Sequence, residues 1–149
     1  MKTKIIIALI IISTFFAWGQ SMLPIPQSQE ESGTIKEILE EVINNIANVQ
    51  EGKPIEIPES LIRKAAHVTE YFIIGAEWMI LFIDKKNYRW YLCWLIGFFT
   101  GFIDETIQLF SGRGSMISDV YIDSFGAILG ITIVYLLLVK FKKKKDTET

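Results

Sequence analysis

Residues Arg63-Lys64-Ala65-Ala66-His67-Val68-Thr69-Glu70-Tyr71 bring a guanidinium, an ammonium, the chain's single imidazole, a carboxylate and a phenol into one short stretch. At 3.6 residues per turn, Arg63, His67, Glu70, Tyr71 and Ile74 fall on one helical stripe, so these groups point the same way. Guanidinium forks suit phosphate or carboxylate oxygens, and a histidine beside carboxylates can carry a proton or act as a metal ligand. Two later stretches supply the carboxylates. Asp104, Glu105 and Gln108 close one apolar run, and Asp119 and Asp123 open the next, with Arg113 in the short connection Ser111-Gly112-Arg113-Gly114-Ser115.

Together these stretches set Arg63, Lys64, His67 and Arg113 against Glu70, Asp104, Glu105, Asp119 and Asp123. The expected ligand-binding set is Arg63, Lys64, His67, Tyr71, Asp104, Gln108, Arg113, Asp119 and Asp123. If the cluster is catalytic, His67 with Asp104 or Glu70 is the acid/base pair, Glu105 is a further candidate, and Arg63 and Arg113 hold an anionic group. One histidine with several carboxylates can take a divalent cation, but no HExxH-type spacing fixes such a site, so the expectation is no metal and no cofactor. The single cysteine, Cys93, rules out an intramolecular disulfide and reads as a small apolar filler. There is no phosphate loop, dinucleotide fingerprint or nucleic-acid module.

The elements that must position these residues are membrane helices. Half the chain is apolar, and its 15 basic and 17 acidic residues sit in blocks between long hydrophobic runs. The expected fold is all-helical, with four spans at about 4–22, 61–83, 88–110 and 119–140. The first run, Ile5 to Trp18, is short for a span and resembles a signal-peptide core, but snorkelling lysines and Ser21, Met22 and Leu23 extend it into a retained helix. Residues 23–60 form an acidic extracytoplasmic loop. Within it, Thr34 and Glu37 read as a capping box opening an amphipathic helix through Ile35, Ile38, Leu39, Val42, Ile43 and Ile46. Glu37, Glu40 and Glu41 read as its solvated face, and Pro24, Pro26, Pro54 and Pro58 mark extended ends.

Lysine placement orients the chain. Lys2 and Lys4, the Lys85-Lys86-Arg89 turn, and Lys140 with the 141–149 tail all fall on one side of a four-span bundle, the cytoplasmic side. The three polar motifs then meet at one depth in the outer leaflet. Gly97, Gly101, Asp104 and Gln108 share a face, as do Asp119, Asp123, Gly126 and Gly130, so small residues lead close helix packing into a polar pocket. Glu77, two turns deeper than Glu70, needs a partner such as Lys85 or Arg89, or a proton.

The ordered set Arg63-Lys64-x-x-His67-x-x-Glu70-Tyr71-x-x-x-Gly75, Asp104-Glu105-x-x-Gln108-x-Phe110-x-x-x-Gly114 and Asp119-Val120-x-x-Asp123-x-x-Gly126-x-x-x-Gly130 resembles the VanZ-like family of bacterial membrane proteins. Ser21-Met22-Leu23-Pro24 adds to the likeness. The resemblance implies a single VanZ-like membrane domain over 1–149, multi-pass in the bacterial cytoplasmic membrane, with both termini inside. It places Lys64, His67, Tyr71, Asp104, Glu105, Gln108, Arg113, Asp119 and Gly126 at motif positions, while Asp123 in place of asparagine and the extra Glu77 depart from the pattern. The family's founding member is associated with low-level teicoplanin resistance. The expected function is therefore binding or modifying a membrane lipid or lipid-linked envelope precursor, with no nucleic-acid partner. The alternatives are a structural or partner-binding subunit whose polar cluster is an internal salt-bridge network, and an ion or solute pathway using Glu77. The glycine faces leave the oligomeric state open.

Overall fold

The computed structural model describes residues 2–47, 54–83, 90–112 and 117–147, and these fold as five α-helices. They are α1 (Lys2–Met22), α2 (Ile25–Ile46), α3 (Glu59–Phe82), α4 (Trp90–Phe110) and α5 (Ile117–Thr147). The first apolar run recruits its flanks on both sides. At 1.5 Å per residue the 21 residues of α1 reach about 31 Å, close to the thickness of a bilayer's hydrocarbon core.

Burial is inverted relative to a water-soluble core. Asp104 and Asp123 are fully buried and Glu105 and Gln108 nearly so, while Ile12, Phe15, Phe99, Phe102 and Leu136 lie on the outside. Polar groups facing inward and apolar side chains facing outward suit a bundle whose solvent is hydrocarbon. Among the described residues three stretches, Thr3–Met22, Trp90–Phe110 and Ile117–Leu138, are long and apolar enough to cross a membrane. Helix α3 has the length, at 24 residues, but Arg63, Lys64, Glu70 and Glu77 lower its hydropathy.

Helix α3 touches all the others, and its contact with α5 is the most extensive in the bundle. Glycines make that approach possible. A Cβ on Gly75 or Gly130 would collide with the facing helix's backbone at Ala127 or Phe72, and one on Gly126 would lie 2.6 Å from the Val68 carbonyl oxygen. Tyr71, Ile74 and Ala127, with Ala17 of α1, fill the core on one side, and Met79, Cys93 and Ile131 fill it on the other. Cys93 is thus the buried filler its surroundings imply. Helix α4 stops where Gly112 takes a left-handed φ of 75°, which leads the chain out of the last turn.

The segment between α1 and α3 differs from the sequence expectation. Helix α2 starts at Ile25, nine residues before Thr34, with Pro24 as its N-cap and Pro26 in the first turn. A first-turn proline loses nothing there, because the first N–H groups of a helix have no intrahelical acceptor. Thr34 is therefore mid-helix and donates its hydroxyl back to the Glu30 carbonyl at 3.0 Å. Residues 54–58 are outside any helix, and Pro58 is extended, with φ −60° and ψ 131°. They are pinned to α2: the Asn44 side chain accepts from the Ile55 amide at 2.7 Å, and Glu40 accepts from the Ile57 amide at 2.6 Å. Glu40 is thus a clamp as well as part of a polar face. Ile35, Ile38, Val42 and Ile46 of α2 are exposed.

Candidate functional site

His67, Asp104 and Asp123 meet near one end of the bundle. His67 lies eight residues into α3 from Glu59, Asp104 six residues before the end of α4, and Asp123 six residues after the start of α5. At 1.5 Å per residue each is about 9–12 Å inside its helix end, so three separated motifs reach one depth.

The contacts are close. His67 Nδ1 is 3.2 Å from Asp123 Oδ1 and 3.7 Å from Asp104 Oδ2. Asp123 fits there because Gly101 of α4 has no side chain: a Cβ at Gly101 would sit 2.9 Å from the Asp123 Cβ. Asp104 is oriented by Gln108, one turn along, whose amide donates to Asp104 Oδ2 at 3.3 Å, to Glu105 Oε1 at 3.1 Å and to Ser21 Oγ of α1 at 3.2 Å. Tyr71, one turn below His67 on the same stripe, is fully buried, and its hydroxyl has no hydrogen-bond partner among the described residues.

The imidazole separates two environments. Its carboxylate neighbours are fully buried, while the ring itself retains 19% of its side-chain surface. That surface faces a cavity of about 200 Å³ bounded by Phe16, Gln20 and Ser21 of α1, Ser28, Ser32 and Ile35 of α2, and Ile62, Arg63, Ala66, His67 and Glu70 of α3. The volume is below the roughly 300–1,000 Å³ of pockets that take drug-sized ligands, so it suits a small polar group rather than a whole lipid.

The cluster expected from the sequence is thereby divided. Arg63, His67 and Glu70 line the cavity, and Asp104, Glu105, Gln108 and Asp123 lie in the interior. Lys64 sits elsewhere, in an open apolar groove between α3 and α5 with Leu61, Val68, Tyr121 and Phe125. Its angular offset from Arg63 is the reason: adjacent residues on a helix point about 100° apart. Asp119, a turn nearer the start of α5 than Asp123, is half-buried and accepts from Ser118 Oγ at 3.2 Å. Arg113 lies outside the described residues, as do Lys85 and Arg89. Glu77 has a partner of another kind: its carboxylate accepts from Ser13 Oγ of α1 at 2.5 Å.

The sequence reading missed the contribution of α1 and α2. Gln20, Ser21, Ser28 and Ser32 line the cavity, and Ser32 ties α2 to α3 through a 2.9 Å hydrogen bond to Glu59 Oε1. Only the Ser21-Met22-Leu23-Pro24 passage carried a signal for them. Hydroxyls and an amide on otherwise apolar or amphipathic helices have no spacing that points to a partner.

The comparison with protein families returns the model described as VanZ/LLP1, matched over residues 4–138. Nothing matches the chain among curated proteins or solved structures. The family match runs from α1 into α5 and takes in every residue that forms the cluster, so the chain belongs to the VanZ/LLP1 family.

Proposed function

We propose that this chain is a four-span protein of the bacterial cytoplasmic membrane that binds the phosphate-bearing headgroup of an envelope lipid or lipid-linked precursor, and thereby contributes to teicoplanin-type glycopeptide resistance. Helix α3 is the fourth span in this reading: Arg63 and Glu70 face the cavity, Glu77 is held by Ser13, and Lys64, near the helix start, snorkels toward the headgroups. The lysine blocks orient it with both termini cytoplasmic and the cavity outward. The exposed apolar face of α2 then rests at the headgroup boundary.

The observation that carries the reading is the placement of Arg63 and His67 at a small cavity near the helix ends, with Ser28 and Ser32 opposite. A guanidinium, an imidazole and hydroxyls offer the donors that phosphate oxygens accept, and the cavity is sized for a headgroup fragment. If the bound group is also transformed, His67 is the proton-carrying residue with Asp104 or Glu70, and Glu105 is the further carboxylate within the cluster.

Susceptibility of a sensitive Gram-positive host tests this. Expression of the wild type is expected to protect against teicoplanin more than vancomycin, and His67→Gln or Asp104→Asn to abolish protection at equal membrane levels by immunoblot. No protection from well-expressed wild type removes resistance from the reading. Orientation is tested separately by single-cysteine labelling at Ser60→Cys and Ser115→Cys in a Cys93→Ala background: labelling from opposite sides of the membrane refutes the four-span arrangement. The 3.2 Å approach of His67 to Asp123 favours a second reading, an internal ion-pair network that holds the bundle together. That reading expects the same two variants to lose folding rather than activity.

A further inference from the structure

The interior of this site packs two carboxylates against one imidazole, an arrangement that the headgroup reading leaves untouched. Asp104 and Asp123 are fully buried, and His67 faces both, with Nδ1 3.7 Å from the first and 3.2 Å from the second. Two carboxylates beside one another in a medium of low dielectric repel strongly, so a cation held by both is favoured. Geometry adds a second observation. Asp123 Oδ1 and Oδ2, His67 Nδ1 and the Tyr71 hydroxyl are all buried without a hydrogen-bond partner among the described residues, although Asp123 and His67 are 3.2 Å apart. Buried polar atoms left open in this way are free to take a further ligand.

We infer that His67, Asp104 and Asp123 form a binding site for one first-row divalent cation, of the Zn²⁺ or Mn²⁺ class, joining α3, α4 and α5. One ligand atom from each of the three residues lies within 4.8 Å of the others. Ligands about 2.1 Å from a shared cation stand about 3.0–3.4 Å apart, so the observed 3.2 and 3.7 Å separations need only small side-chain rotations to close. An imidazole with two carboxylates suits borderline ions; Ca²⁺ asks for six to eight oxygens and Mg²⁺ for oxygen and water. A divalent charge neutralises the two aspartates outright. Gln108 fills the outer role, fixing Asp104 Oδ2 by its amide. Water or an anionic oxygen would complete the coordination set. The site stands on the cluster alone and does not depend on which ligand enters the cavity.

The test uses the full chain in detergent, free of any histidine tag, stripped with chelator and then exposed to Zn²⁺, Mn²⁺ or Co²⁺. The expected result is one ion per chain by elemental analysis, a thermal midpoint that rises by several degrees, and a Co²⁺ absorption spectrum of mixed nitrogen and oxygen ligation. His67→Gln and Asp123→Asn are expected to weaken binding at least 10-fold, Gln108→Ala about 10-fold or more through Asp104, and exposed Glu37→Gln to leave it unchanged. Wild-type protein that takes up no ion above background overturns the inference. So does binding of equal stoichiometry and affinity in folded His67→Gln and Asp123→Asn, which places the ion elsewhere. If those two variants do not fold, wild-type stoichiometry, the Co²⁺ spectrum and the Gln108→Ala affinity decide.

Discussion

Gly126→Ala links the packing of the bundle to the geometry of its polar cluster. An added Cβ would lie 2.6 Å from the Val68 carbonyl oxygen, and ordinary contact begins at 3.4 Å, so α3 and α5 must separate locally by at least 3.4 − 2.6 = 0.8 Å. The obstacle is backbone and cannot rotate aside. Overpacking of this kind costs about 1–3 kcal/mol, and a backbone clash belongs at the upper end, about 3 kcal/mol. Alanine regains about 1 kcal/mol of helix propensity over glycine, leaving a net loss of about 2 kcal/mol. For a chain of this size that is a fall of about 4–8 °C in the unfolding midpoint. Gly33 in α2 is the control, since a Cβ there meets nothing within 4 Å; Gly33→Ala is expected to raise the midpoint by about 2–4 °C. Asp123 is one turn from Gly126, so the same separation draws its carboxylate off His67 and weakens whatever the cluster binds. Circular-dichroism melts of both variants in one detergent check the argument. Midpoints that move in the same direction refute it, because the opposite signs come only from the facing helix.

Other contacts give independent expectations. Gln108→Leu removes the amide that serves Ser21, Asp104 and Glu105, and is expected to destabilise by at least about 2 kcal/mol, read as an earlier melt. Asn44→Ala unclips the 54–58 segment from α2 and is expected to speed amide exchange at Ile55 while leaving the core helices protected; unchanged exchange there would show that other contacts hold the segment. Ser13→Ala strips a partly buried carboxylate of its donor, and a double-mutant cycle with Glu77→Gln should return about 1–3 kcal/mol of coupling. Zero coupling would show that Ser13 does not hold the Glu77 carboxylate.

The sequence by itself determined the helices, their faces and the three polar motifs, because 3.6-residue periodicity and the placement of charge fix which side chains share a stripe. Gly97, Gly101, Asp104 and Gln108 form the buried face that their spacing implies, and α4 ends at Phe110 as expected. Local competition at the start of α2 was not legible: Thr34 and Glu37 make a plausible cap, but the prolines at 24 and 26 allow the helix to begin earlier. Tertiary structure alone decided which stripes face one another. Periodicity sets angles within a helix and says nothing of its rotation against a neighbour. The match of Gly101 to Asp123, and of Gly126 and Gly130 to the α3 backbone, sets that rotation. It brings Asp104 and Asp123 to His67, turns Lys64 outward, and lets the hydroxyls of α1 and α2 close a cavity that no spacing along the chain describes.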